Sequence, residues 1–166
     1  MGQSTTYDAI VIGAGSVGVP TAYYLAKAGL NVLMLDSVSS VGQGSNKRAI
    51  GGIRATHSDP AKIRLCLRSI EIFSTFRETF GEDIEWDQCG YSFVAYTPKE
   101  EKTLQDLLII QNSYGLNINW YSPNDLLKIV PDLNPRGLLG GTFSPEDGSA
   151  SPLLTNHAYY MLAVSA

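Results

Sequence analysis

The stretch VIGAGSVGVP, residues 11–20, sets three glycines, Gly13, Gly15 and Gly18, behind an apolar run, and Asp36 follows further on. Before it, YDAIVIG (7–13) is a β-branched run ending in glycine, the form of a buried parallel strand. After it, Val17, Ala22, Leu25 and Ala26 suit a helix over 17–28 packed on a sheet, with Gly29 as its stop. NVLMLD (31–36) then reads as a second buried strand. Strand, glycine turn, helix and strand make one βαβ unit. Each glycine has its own task in such a unit. Gly13 allows the tight turn, Gly15 lets backbone approach a pyrophosphate with no Cβ in the way, and Gly18 permits close helix–strand packing. The helix N-terminus near Ser16 and Val17 offers N–H groups and partial positive charge to phosphates. Asp36, with Ser37 beside it, can accept both hydroxyl hydrogens of an adenosine ribose, and its charge disfavours a 2′-phosphate. A glycine turn with an incidental aspartate in some other α/β protein is the bland alternative. The unit by itself also leaves NAD and FAD both open.

Composition narrows the classes. The chain has 166 residues, 44% of them hydrophobic, enough for one ordinary core or parts of two. A net charge of −4 argues against a nucleic-acid binder. No apolar run approaches the roughly 18 residues of a bilayer span. The start, MGQSTTYDAI, lacks the charged and apolar regions of a secretory signal, although Gly2 and Thr6 loosely fit a myristoylation pattern. Cys66 and Cys89 show no metal-type spacing and no disulfide framework, so no metal is expected. His57 and His157 stand alone and read as surface or structural residues. A cytoplasmic location is the expectation.

Beyond Asp36 runs a long glycine-rich stretch, SVSSVGQGSNKRAIGGIRATHSDP, and long ordered loops inside compact domains tend to be functional. Asp59 and Pro60 then open a helix whose Ile63, Cys66, Leu67, Ile70, Phe73 and Phe76 recur at helical spacing. Cys66 lies on that stripe as a core thiol. CGYSFVAYT is a strand, and Thr97-Pro98 opens a helix that Gly115 closes. NINWYS reads as a strand, SPNDLLKIVP as a short helix, GLLGGTF as a strand and SPEDGSASP as a turn. PLLTNHAYYMLAVSA reads as a final helix.

The order of these pieces resembles the FAD-dependent amine and amino-acid oxidoreductases of the D-amino-acid oxidase superfamily, in the branch of sarcosine oxidase, dimethylglycine dehydrogenase and the L-proline dehydrogenase β subunit. The resemblance rests on VIGAGSVGVPTAYYLAKAGLNVLMLD, GSNKRAIGGIR, CGYSFVAYTPKEEKTL and LLKIVPDLNPRGLLGGTFSPEDGSASP with the helix after it. The second and fourth pieces discriminate most. The resemblance implies an α/β fold with a flavin-binding part over 1–84 and 148–166 and part of a substrate domain over 85–147. It places Gly44, Ser45, Arg48, Ala49, Gly51, Gly52 and Ile53 along the flavin ring, where a mobile surface glycine loop is the alternative. Relatives that attach flavin covalently carry histidine at the position of Arg48, so non-covalent FAD is implied here.

The implied reaction oxidises a C–N bond in a small secondary or tertiary amino acid by hydride transfer to flavin N5, leaving an imine for water. Sarcosine, proline, glycine and dimethylglycine all fit, and a partner subunit could take the electrons. Arg54 matches an arginine that holds the substrate carboxylate, and its structural alternative is an ion pair with Asp59 or Asp87. Relatives are more than twice as long, so the chain is expected to be the N-terminal part of a longer enzyme and inactive alone. A flavin-dependent hydroxylase or reductase, or a non-catalytic nucleotide-binding subunit, are the competing readings.

Overall fold

A computed structural model describes residues 6–166, which leaves Gly2 outside the described residues. The architecture is mixed α/β, and it divides into two compact units. One runs to Gly51 and resumes over Phe76–Glu85 and Ala150–Ala166; the other comprises Gly52–Thr75 and Trp86–Ser149.

In the first unit, β1 (Ala9–Ile12) lies parallel to β2 (Val32–Leu35), joined by α1 (Gly18–Lys27). The register sets Ala9 opposite Val32 and Ile12 opposite Leu35. A 3₁₀ turn over Asn46–Arg48 interrupts the glycine-rich stretch. The final helix, here numbered α6 (Pro152–Ser165), packs on α1, and Ser151 caps it by accepting from the Leu154 N–H. A short helix, α3 (Phe76–Phe80), supplies Phe76, which is fully buried and meets the Tyr159 ring edge-on at 5.2 Å. The strands are less buried than their apolar run predicts. Ile10 and Ile12 point to one face and are 58% and 83% exposed, because no element covers that face among the described residues.

The second unit begins with β3 (Gly52–Ile53), which pairs antiparallel with β7 (Gly148–Ser149). Helix α2 (Pro60–Ser74) starts as its Asp59-Pro60 pair predicts, with Asp59 accepting from the Lys62 N–H. It ends earlier than its apolar spacing suggests. Thr75 breaks the helix, so Phe73 packs on Trp86 while Phe76 enters the aromatic core of the first unit. A three-stranded antiparallel sheet follows in the order β4 (Tyr91–Ala95), β6 (Gly140–Ser144), β5 (Asn119–Tyr121). Helices α4 (Pro98–Ser113) and α5 (Pro123–Ile129) complete the unit. Thr97 and Glu100 form a reciprocal capping box at the start of α4.

The core of this unit gathers Ala55, Ile63, Ile70, Leu116 and Ile118. Cys66 packs against it, and burial pushes its thiol pKa up, as suits an inert core residue. This packing carries Gly52–Thr75 with the second unit, whereas the sequence-based division keeps residues up to 84 with the nucleotide-binding part.

Asp147 is the buried acid of this unit, and its Oδ1 accepts the Ala55 N–H at 3.0 Å. Its Oδ2 has no partner, and burial raises its pKa above the usual carboxylate range. An acid raised in the folded state favours folding while it stays protonated, and that contribution is lost as pH rises through the raised value. Asp147→Asn keeps an oxygen for Ala55 and removes the charge. It should leave stability at pH 8 equal or higher, and flatten the pH dependence between the ordinary carboxylate range and neutrality. Asp147→Ala strands a fully buried N–H and should cost about 1–3 kcal/mol. Urea melts at pH 4 and pH 8 distinguish these outcomes.

Candidate functional site

The turn between β1 and α1 opens onto a groove of about 740 Å³. Gly13 adopts a φ of +106°, which only glycine takes without strain, and its N–H donates to the Leu35 carbonyl at 2.7 Å. A Cβ on Gly13 or Gly15 would meet nothing within 4 Å, so both backbones present open space to a ligand. A Cβ on Gly18 would lie 1.8 Å from the Gly13 oxygen. The three glycines thus divide as the motif requires: two open toward the groove and one packed shut. No side chain caps the start of α1 at Val17, which leaves that end of the helix to an anion.

Asp36 stands just past the end of β2, also on the groove. Its carboxylate accepts from the Ala14 N–H at 2.5 Å and the Val38 N–H at 3.0 Å. Those two donors, Ala14 first, hold its pKa below the usual carboxylate value, so an exposed anion faces the groove at neutral pH. A smaller adjoining cavity of about 310 Å³ lies between Asp36, Met34 and Val38 on one side and His157 and Tyr160 of α6 on the other.

Gly13, Gly15, Ser16, Val17, Gly18, Asp36, Ser37, Gly44 and Ser45 all line the same groove. Arg48 and Ala49 are exposed and do not line it. Gly51 has its own backbone reason to be glycine: φ is +83°, and a Cβ would sit 2.2 Å from the Ala150 oxygen. Gly52, Ile53 and Arg54 belong to the second unit. Sequence reasoning missed Asn46, which lines the groove and whose Nδ2 donates to the Pro152 carbonyl at 2.7 Å. It also missed Asn156, whose Nδ2 donates to the Ala14 carbonyl at 2.9 Å. No spacing rule could reveal a partner 142 residues away.

Arg54 makes neither of the ion pairs offered as its structural alternative. Its guanidinium lies over the rings of Tyr91 and Phe93, at 5.5 and 5.1 Å from their centroids. Nη1 donates to the carbonyl and hydroxyl of Thr56. The remaining guanidinium donors have no hydrogen-bond partner among the described residues, and Arg54 is only half-buried. A cation braced by two aromatic rings with donors to spare can take a carboxylate.

No helix of the described residues is long and apolar enough to cross a membrane. Nor do the described residues contain a metal-binding cluster.

A family model described as "FAD dependent oxidoreductase" matches residues 8–166. Among curated proteins, 4-methylaminobutanoate oxidase (formaldehyde-forming) of Paenarthrobacter nicotinovorans is 25% identical over 93% of this chain and 18% of its own length. Mitochondrial dimethylglycine dehydrogenase of Rattus norvegicus is 28% identical over 87% of this chain and 17% of its own. Among solved structures, L-proline dehydrogenase of P. horikoshii aligns with a TM-score of 0.90 and 32% identity, over 96% of this chain and 42% of that one. The chain therefore spans less than half the length of these relatives.

Proposed function

This chain belongs to the FAD dependent oxidoreductase family, and we propose from that premise that it holds the nucleotide-binding part and part of the substrate domain of an enzyme oxidising the C–N bond of a small amino acid of the sarcosine, proline, glycine or dimethylglycine type. The observation that carries this reading is the groove at Gly13, Gly15 and Asp36, which offers open glycine backbone and a fixed anion. Glycine backbone and the start of α1 would receive the pyrophosphate of FAD, and Asp36 the adenosine ribose. When bound, the flavin supplies the acceptor for the hydride leaving the carbon next to nitrogen. Gly44, Ser45, Arg48, Ala49, Gly51, Gly52 and Ile53 are assigned to the ring side of the cofactor, held without a covalent bond. Arg54 is assigned to the substrate carboxylate. The substrate names of the three relatives support this class, since each pairs a secondary or tertiary amine with a carboxylate. A partner subunit as electron acceptor belongs to the same proposal.

The test uses the enzyme that contains this segment, loaded with FAD and kept anaerobic. Sarcosine, proline, glycine and dimethylglycine are added in turn, and at least one should bleach the flavin absorbance. Retained FAD with no bleaching by any of them rejects the substrate class. Failure to take up FAD rejects the nucleotide site itself.

Asp36 gives a sharper check. Asp36→Ala should weaken ADP binding about tenfold to a hundredfold, the loss of a charged hydrogen-bond pair. Because its pKa is lowered, the difference in ADP affinity between wild type and Asp36→Ala should persist from neutrality down through the ordinary carboxylate range and shrink only below it. Titration of ADP by calorimetry across that range measures both effects. ADP carrying a 2′-phosphate should bind more weakly than ADP. Equal affinity for the two would remove the ribose role from Asp36.

A further inference from the structure

Ala14, between Gly13 and Gly15, is 4% exposed, and its peptide groups are held from both sides. Its N–H goes to Asp36. Its carbonyl accepts two donors, the Gly42 N–H at 2.8 Å and Asn156 Nδ2 at 2.9 Å. Asn156 lies in α6 and is 2% exposed, and its Oδ1 has no partner. A buried amide with one end unpaired is a poor choice for stability alone, since an apolar side chain of the same size would leave no orphan. Its other end therefore calls for an explanation.

Peptide planarity supplies one. In a trans peptide the carbonyl of one residue and the N–H of the next point in opposite directions. The preceding peptide shows the rule at work. There the Ala14 N–H points to Asp36, and the Gly13 carbonyl points the other way, into the place where a Gly18 Cβ would stand. At the next peptide, Asn156 and the Gly42 N–H draw the Ala14 carbonyl toward themselves, which turns the Gly15 N–H away from them. Gly15 lines the groove, and nothing stands within 4 Å of its Cβ position. We propose that Asn156 is a positioning residue for the nucleotide: by anchoring the Ala14 carbonyl it aims the Gly15 N–H at the pyrophosphate.

The proposal rests on the nucleotide reading of the groove, and its test separates the two. The whole 166-residue chain is titrated with ADP and with adenosine, which lacks the pyrophosphate. Asn156→Leu keeps the branched skeleton, removes the donor and takes the orphan oxygen with it. ADP affinity should fall about fivefold, the size of one neutral hydrogen bond, while adenosine affinity and the ligand-free melting temperature stay near wild type. Asn156→Asp sets an acceptor against the Ala14 carbonyl and should weaken ADP further. Equal losses for ADP and adenosine, or unchanged ADP affinity in both variants, overturn the role. A second measurement does not depend on how the variants fold. In the wild-type chain labelled with ¹⁵N, saturating ADP should shift the Gly15 amide resonance, and an unmoved resonance overturns the proposal. Wild-type chain that binds adenosine but not ADP also overturns it. Chain that binds neither removes the nucleotide site together with the role.

Discussion

Alanine at position 18 should dismantle the unit built on β1, α1 and β2. The new Cβ would stand 1.8 Å from the Gly13 oxygen, 3.0 Å from the Gly13 carbon and 3.5 Å from Val11 Cγ1. The nearest two atoms are backbone, and that backbone is fixed. Gly13 is held in its left-handed turn by the Leu35 carbonyl, and the same peptide donates through Ala14 to Asp36. Relief therefore means lifting α1 off β1, which opens the packing around Val19, Ala22 and Tyr23 that buries the inner face of the helix. Overpacking and lost burial together should cost about 3–5 kcal/mol, a large part of the stability of an ordinary domain. Gly15→Ala is the matched control. Its Cβ meets no protein atom within 4 Å, so stability should change by less than about 1 kcal/mol. The methyl instead enters the groove, and ADP affinity should drop. Urea denaturation and ADP titration of both variants give two opposite patterns. Wild-type stability for Gly18→Ala would show that the close approach of α1 and β1 carries no weight.

That pair of glycines also shows what a sequence can reveal. Gly13, Gly15, Gly18 and Asp36 act within one contiguous βαβ unit, where spacing fixes geometry, so their arrangement was legible. The same holds for helix starts. Asp59, Thr97, Ser122 and Ser151 each precede proline, and each accepts from a backbone N–H in the first turn. Features that depend on distant chain were not legible. Phe73 and Phe76 keep one helical spacing, but spacing cannot say that Phe76 belongs to a different core. Strands β3 and β7 have two residues each and exist only because Gly52–Ile53 meets Gly148–Ser149. Ile10 and Ile12 read as buried from composition, yet burial needs a covering element that composition does not supply. In the site, Ser45 reaches the groove through the turn beside it, whereas Arg48 and Ala49 a few residues later do not. The direction of a loop is decided by its anchors, here Asn46 on Pro152 and Gly42 on Ala14. No local rule encodes them.

Removing the guanidinium of Arg54 should raise KM for the amino acid on the order of a hundredfold to a thousandfold in the enzyme that contains this segment, because truncating one partner of a desolvated charge pair costs about 3–4 kcal/mol. The structure sharpens why. Arg54 pairs with no acid among the described residues; it is steadied by Thr56 through Nη1 and by the faces of Tyr91 and Phe93. These contacts orient the plane of the fork without pairing it with an anion, leaving the rest of the donors to bind a carboxylate in a bidentate pair. Asp147 lies close enough for the Arg54 charge to favour its ionised form, but no hydrogen bond joins the two. Lysine at position 54 keeps one charge and loses both the fork and the stacking on the rings. Arg54→Lys should therefore recover little of the lost affinity, and its kcat should fall as well, since a single point charge fixes the carboxylate but not its plane. Flavin content should stay at the wild-type level in both variants. An amine substrate without the carboxylate supplies the decisive comparison: its KM should be poor with wild type and indifferent to the substitution. If both variants instead lose flavin or unfold at lower urea while the surviving enzyme keeps a normal KM, Arg54 is a brace between Thr56 and the ring pair. The carboxylate then binds elsewhere.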